Sequence, residues 1–263
     1  MKKLIALLLA LVMVMALAAC GGETQETTPA GEETTTTPVE TTEATEETTQ
    51  DTKETPNPVE VMTHEEFMAA EDDTAVTVEF AVQGAQTYNA EYGNTSVYGA
   101  DENGGYFAYR MACTAEEAAK LTEGTWIRIS GTKTSWSGQV EIIDITSIEF
   151  IEKEAYVAQG VDVTELLGTE ELIGYMTLPV QFKGVTVKSV DYKDGEEGND
   201  IYLTVTLNET DYDFCVETDL TNSETEVYKA VAALEAGAVI DVQGFLYWYE
   251  GPNPHITGVT VAE

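Results

Sequence analysis

The chain has 263 residues, of which 48 are acidic and 12 basic, for a formal net charge of -36. A balance of this sign repels phosphate backbones and anionic headgroups, so it argues against nucleic acid as a partner and favours cations or neutral ligands. Three cysteines imply no disulfide framework.

The chain begins with Lys2 and Lys3, followed by an apolar run at 4–16 that is too short for a comfortable membrane span. The run ends in Leu17-Ala18-Ala19-Cys20. This resembles the lipobox of bacterial lipoproteins. The resemblance implies a signal peptide at 1–19, cleavage before Cys20, diacylglycerol on the Cys20 sulfur and an extracytoplasmic protein held to the cell membrane by that lipid. Two or more acyl chains anchor stably where one does not. Residues 22–58 are nearly all Thr, Glu, Pro and Gln. Too few apolar side chains are present to offset chain entropy, so 20–60 reads as the lipidated cysteine and a disordered tether.

A first module is expected at 61–152. Thr63 with Glu66 three residues on forms a capping box, which opens a short helix to about Ala70. Val76, Val78, Phe80 and Val82 alternate as a half-buried strand, and Gly84 allows it to bend. Strands follow near 95–100 and 106–111, joined by the turn signal Asp101-Glu102-Asn103-Gly104-Gly105. Thr114 and Glu117 form a second capping box. Strand four holds Gly124-Thr125-Trp126-Ile127-Arg128-Ile129-Ser130-Gly131, and strand five covers 139–150.

A connector at 153–168, with a short helical turn at 163–167, leads to a second module at 169–263 with the same order of elements. The strand-four stretch recurs without a gap 113 residues on: Ile127, Ile129, Gly131 and Gly138 fall on Ile240, Val242, Gly244 and Gly251. Thr169 parallels Thr63 at a helix start, and a strand begins at Pro179. Ile201, Leu203, Val205 and Leu207 alternate strictly. Ser223 and Glu226 read as the capping box of a helix reaching Ala236, with Gly237 beyond its end.

Three strands, a helix and two strands, with a glycine in or just after the first strand, resemble the OB-fold. The expected fold is therefore mainly β, as two tandem five-stranded OB-like barrels with a helix between strands three and four. A β-sandwich or an SH3-like barrel is the alternative.

His64 and His255 lie in different modules, and neither a nucleophile–His–acid set nor a zinc spacing can be assembled. No enzyme activity, cofactor or metal is expected. The acidic run 191–200 has carboxylates at the close spacing that suits Ca²⁺, but Lys193 interrupts it. Aromatic residues are the more useful signal, because OB-folds bind oligonucleotides or oligosaccharides on the strand two–three face and adjoining loops. The resemblance makes Tyr98, Tyr106, Tyr109, Trp136, Tyr202, Trp248 and Tyr249 the candidate ligand residues. Charge and aromatics together lead to the expectation of an envelope binding or scaffold protein for a neutral glycan, a peptide or another envelope protein. An oligonucleotide-binding OB protein is the alternative, weakened by the lack of a basic groove.

Replacement of Cys20 by Ala is expected to block lipid processing of the precursor. Identical detergent partitioning and no lipid-sized mass difference between the two proteins would refute the anchor.

Overall fold

The computed structural model describes residues 60–262; the expected signal peptide, Cys20 and nearly all of the tether lie outside the described residues. Helix α1 (His64–Ala69) opens with the expected capping box: Thr63 and Glu66 each accept from the other's backbone N–H. Its one buried side chain, Phe67, packs 5.4 Å from the ring of Tyr106.

Strands β1 (Ala75–Ala85), β2 (Asn94–Ala100) and β3 (Gly105–Ala112) follow, then the one-turn helix α2 (Ala115–Ala118). A long hairpin of β4 (Trp126–Trp136) and β5 (Gln139–Ile151) completes the sheet. The order β1-β2-β3-β5-β4, with β4 back on β1, is a closed five-stranded barrel. The period-two patterns explain it. Val78, Phe80, Val82, Val97, Ala108, Ile127, Ile129 and Ile142 all point into one core and are fully buried. Burying a large apolar side chain is worth about 1.5–3 kcal/mol. Gly99 is required here, because a Cβ there would stand 2.0 Å from Phe80 Cδ2.

The second sheet starts in the segment expected to join the modules, where the helical turn also expected at 163–167 is the 3₁₀ turn Thr164–Leu166. Strand β6 (Val161–Asp162) pairs in parallel with β7 (Pro179–Tyr192), and Val163 and Leu167 enter the second core. The expected helix after Thr169 is a 3₁₀ helix, Glu170–Tyr175, without a side-chain cap. Strands β8 (Ile201–Leu207) and β9 (Thr210–Val216), helix α3 (Glu226–Ala232), and strands β10 (Val239–Phe245) and β11 (His255–Val261) complete it. The order is β10-β11-β9-β8-β7-β6, with an added β10–β7 pairing. Ile201, Leu203, Val205, Ile240 and Val242 are fully buried together. The start of α3 corrects the sequence reading. Thr225, not Ser223, caps the helix by accepting from the Tyr228 N–H, and the helix ends at Ala232 rather than Ala236. Tyr228 is thereby turned inward, and its hydroxyl donates to the Asn199 carbonyl.

Among the described residues no helix is long and apolar enough to cross a membrane. Replacing Ile127 by Ala is expected to cost about 2–5 kcal/mol, measured by denaturant unfolding. A loss below about 0.5 kcal/mol would mean that its side chain does not face the barrel core.

Candidate functional site: an aromatic cleft beside the two sheets

The outward residues of β2 and β3 form a second, smaller apolar cluster. Tyr98 and Phe107 lean away from the barrel core and meet Phe245 at the end of β10. The Tyr98 and Phe245 rings stack at 4.5 Å and 10°. Tyr98 Oη and His255 Nδ1 share a hydrogen bond of 2.6 Å. His255 Nδ1 also lies 3.2 Å from Glu217 Oε2, which accepts from Gln86 Nε2 at 2.6 Å. Further along, the β4–β5 hairpin docks on the segment after β10. Gln139 Oε1 accepts from the Trp248 N–H at 3.0 Å, and the Ser137 carbonyl from the Glu250 N–H at 2.8 Å. Gly138 is needed there, since a Cβ would stand 2.6 Å from Trp248 Cδ1.

Beside this contact lies a cleft of about 780 Å³. The barrel contributes Phe107, Tyr109 and Trp136; the second sheet contributes Tyr202, Tyr247 and Tyr249. Trp136 is 60% exposed and Tyr249 54%, so ring surface is free for a ligand. A β-bulge aims the barrel's side. Val97 pairs with Ala108 and Thr95 with Met111, which leaves Tyr109 and Arg110 opposite one residue, Ser96. Arg110 takes a left-handed φ of +47°, and its N–H donates to Ser96 Oγ at 3.2 Å. A non-glycine residue in that region carries backbone strain, and bulges of this sort re-aim side chains. Here the bulge turns two successive residues outward, and the guanidinium sits 5.0 Å over the Tyr109 ring.

The described part of the chain has few cations, and most are engaged. Arg128 and Lys153 both bind Glu79, and Lys193 binds Asp200 at 3.0 Å. Lys133 donates to the carbonyls of Met68 and Ala70. Lys120, Lys183, Lys188 and Lys229 pair with nearby carboxylates. Among the described residues Arg110 alone of the bases has neither a carboxylate partner nor a side-chain hydrogen bond.

Four of the candidate residues, Tyr109, Trp136, Tyr202 and Tyr249, are brought together on the cleft. Tyr98 and Tyr106 are corrected, and Trp248 lies apart from the cleft. Tyr106 is 1% exposed inside the barrel, stacked 5.2 Å from Phe80, and its hydroxyl donates to Asp101. Tyr98 is fully buried, with ring and hydroxyl both spent on the second sheet. Trp248 is half-buried against the second core and faces a different groove, near Ile173 and Pro252. The acidic run offers no evident ion site. Its Asp200 accepts from Lys193 and from the backbone and hydroxyl of Thr218, and these bonds hold its carboxyl below the usual range although burial pushes the other way. Among the described residues no group of three His, Cys, Asp or Glu is placed to hold a metal.

Sequence reasoning missed Phe107, Glu141, Glu217 and His255. Only the spacing of Phe107 and Tyr109 hinted at an aromatic outer face on β3. Glu141 opens onto a recess next to the cleft, and the Tyr247 hydroxyl donates to its Oε1 at 3.3 Å. Burial pushes its carboxyl up to about 7, against the opposing hydrogen bond from Tyr247.

No protein family model matches the chain, and no curated protein does. Solved structures are matched at low similarity. One, described as the tetrameric p202 HIN2, is 14% identical with a TM-score of 0.34, covering 73% of this chain and 96% of that one. Another, a murine DNA-binding protein bound with double-stranded DNA, is 14% identical with a TM-score of 0.35, covering 71% and 95%. A deletion mutant of the single-stranded DNA binding protein from Thermus aquaticus is 14% identical with a TM-score of 0.25, covering 72% and 94%. These descriptions run against the sequence expectation of a glycan, peptide or envelope-protein ligand, and against setting nucleic acid aside. That expectation is withdrawn. The acidic premise holds locally as well, since Asp191, Asp213 and Glu217 line the cleft and its Lys193 is paired with Asp200. Likeness at these TM-scores carries no argument for a particular activity, so the reading below rests on the cleft.

Because Glu141 holds its proton more tightly folded than unfolded, its contribution to stability is fullest below about 4.5, the ordinary value, and is lost as pH rises through about 7. Urea unfolding of the native protein and of Glu141→Gln between these limits is expected to show a steeper fall for the native protein. Parallel curves would refute a buried, protonated Glu141.

Proposed function

We propose that the chain is a binding protein that takes unpaired bases of a single-stranded oligonucleotide in the aromatic cleft. The observation that carries this is the aromatic lining of the cleft, Phe107, Tyr109, Trp136, Tyr202, Tyr247 and Tyr249, with Trp136 and Tyr249 largely exposed and the Arg110 guanidinium over the Tyr109 ring. A ring face stacks any base, for about 1–3 kcal/mol per base, and an adjacent cation meets the phosphate of the same nucleotide. Tyr109 lies on β3 and Trp136 at the β4–β5 turn, the face and loop that OB-like barrels use for oligonucleotides.

The acidic surface then sets the mode of binding. With Asp191, Asp213 and Glu217 on the cleft, and its Lys193 paired with Asp200, phosphates contribute little and stacking carries the affinity. Selectivity for single strands follows, since paired bases have no free faces.

We also read the second sheet as a second OB-like barrel in tandem with the first. The β10–β7 pairing and the matched stretches at 124–138 and 237–251 support that reading. Binding rather than catalysis fits a cleft whose histidine is already engaged by Tyr98 and Glu217. On the strength of Leu17-Ala18-Ala19-Cys20, the binding domains are held outside the cell membrane by a lipid on Cys20.

Titration of a fluorescent oligothymidine into the full-length protein is expected to give saturable binding with a shallow salt dependence, a log–log slope near -0.7 for about one phosphate contact. Trp136→Ala should weaken binding without shifting the melting temperature, and Arg110→Gln should flatten the salt slope. Failure of any single-stranded oligonucleotide to bind, or affinity unchanged in Trp136→Ala, would overturn the proposal.

A further inference from the structure

Next to the cleft is a recess of about 330 Å³ walled by Tyr109, Trp136 and Tyr247, with Thr134, Ser135, Ile143 and Glu141 completing it. Glu141 is only 4% exposed. One of its oxygens accepts from Tyr247, and the other takes no hydrogen bond from any described residue. No cation pairs with it: among the described ion pairs Glu141 does not occur, and Arg110 lies over the Tyr109 ring instead. A buried carboxylate without a counter-charge is costly. Three aromatic side chains line the same recess, and aromatic faces attract cations through their quadrupole.

We propose that this recess is a binding site for a small organic ammonium cation, an alkylated amine held between Tyr109, Trp136 and Tyr247 and neutralised by Glu141. Its chemistry selects against the alternatives. Inorganic cations such as Ca²⁺ need about six to eight oxygen ligands, and beside its three phenol and indole walls the recess offers one carboxylate and the hydroxyl residues Thr134 and Ser135, the latter already bonded to Asp72. An alkylated ammonium is weakly hydrated and presents methyl groups to the rings, so it loses little on leaving water. The strongly acidic surface raises the local concentration of any such cation. Nothing in this depends on oligonucleotide binding, and either reading can fail alone.

Ionisation of Glu141 couples the site to pH. Its titratable neighbours are the phenols of Tyr98, Tyr109 and Tyr247, with His255 stacked 4.4 Å from the Tyr247 ring and Glu217 beside His255. Burial holds the Tyr247 phenol above its ordinary range, so it stays neutral. Ammonium affinity should therefore rise with pH through about 7, as Glu141 gives up its proton.

The test is calorimetric titration of the full-length protein with tetramethylammonium chloride, against sodium chloride of equal ionic strength and against calcium chloride. Saturable binding of tetramethylammonium alone is expected, tighter at pH 8 than at pH 6. Glu141→Gln should weaken it by about tenfold or more, the scale of one lost charge contact, and should abolish the pH dependence. The groups around His255 are common to both proteins, so the difference isolates Glu141. Trp136→Ala, at a largely exposed position, should weaken binding in a protein that melts normally, and it decides the matter if Glu141→Gln fails to fold. Absence of saturable binding, equal binding of sodium or calcium, or unchanged affinity in Trp136→Ala would overturn the proposal.

Discussion

Contact between the two sheets depends on a small set of groups around Tyr98. Its ring is sandwiched with Phe245 and Phe107, and its hydroxyl meets His255, which lies beside Glu217. A hydroxyl and an imidazole buried this deeply would each be costly without a partner, and each supplies the other's. The orientation of one sheet on the other is thereby fixed by directional bonds as well as by apolar area. Both ligand surfaces argued above inherit their shape from it, because each takes walls from both sheets.

Much of the fold was legible in the sequence. Strict alternation at 76–82 and 201–207 gave the inward faces, and the recurrence of Ile127 and Ile129 as Ile240 and Val242 located the fourth strand of each half. Failures came where an outer face is also buried. Phe245 lies on the opposite face of β10 from Ile240 and Val242, yet it is buried by the barrel, so polarity could not say which way it points. The same ambiguity put Tyr98 and Tyr106 among the ligand candidates. The bulge at Tyr109 and Arg110 has no glycine or proline to announce it. The cleft itself joins residues as far apart as Tyr109 and Tyr249, which no local pattern can bring together.

Charge was legible as a sum, and its sign holds at the cleft. The acidic excess is spread over exposed positions, while the few bases are spent on named partners such as Glu79 and Asp200. A ligand in the cleft meets the carboxylates of Asp191, Asp213 and Glu217 together with its aromatic rings, while Glu141 stands in the adjoining recess and Arg110 lies over the Tyr109 ring. Tyr109, Trp136 and Tyr247 line both the cleft and the recess.

The sheets meet head to tail, the outer face of β2 and β3 on the end of β10 and β11. Such a heterologous contact does not close on itself, and repetition would build a filament. The outer face of β8 and β9 is chemically different from that of β2 and β3. Thr204 and Thr206 donate there to Asp213 and Asp211, and Lys188 binds Asp211. A third unit pressing a phenylalanine onto this face would have to strip water from two carboxylates. The polar dressing of this strand pair thus opposes the kind of apolar contact that the outer face of β2 and β3 makes with Phe245.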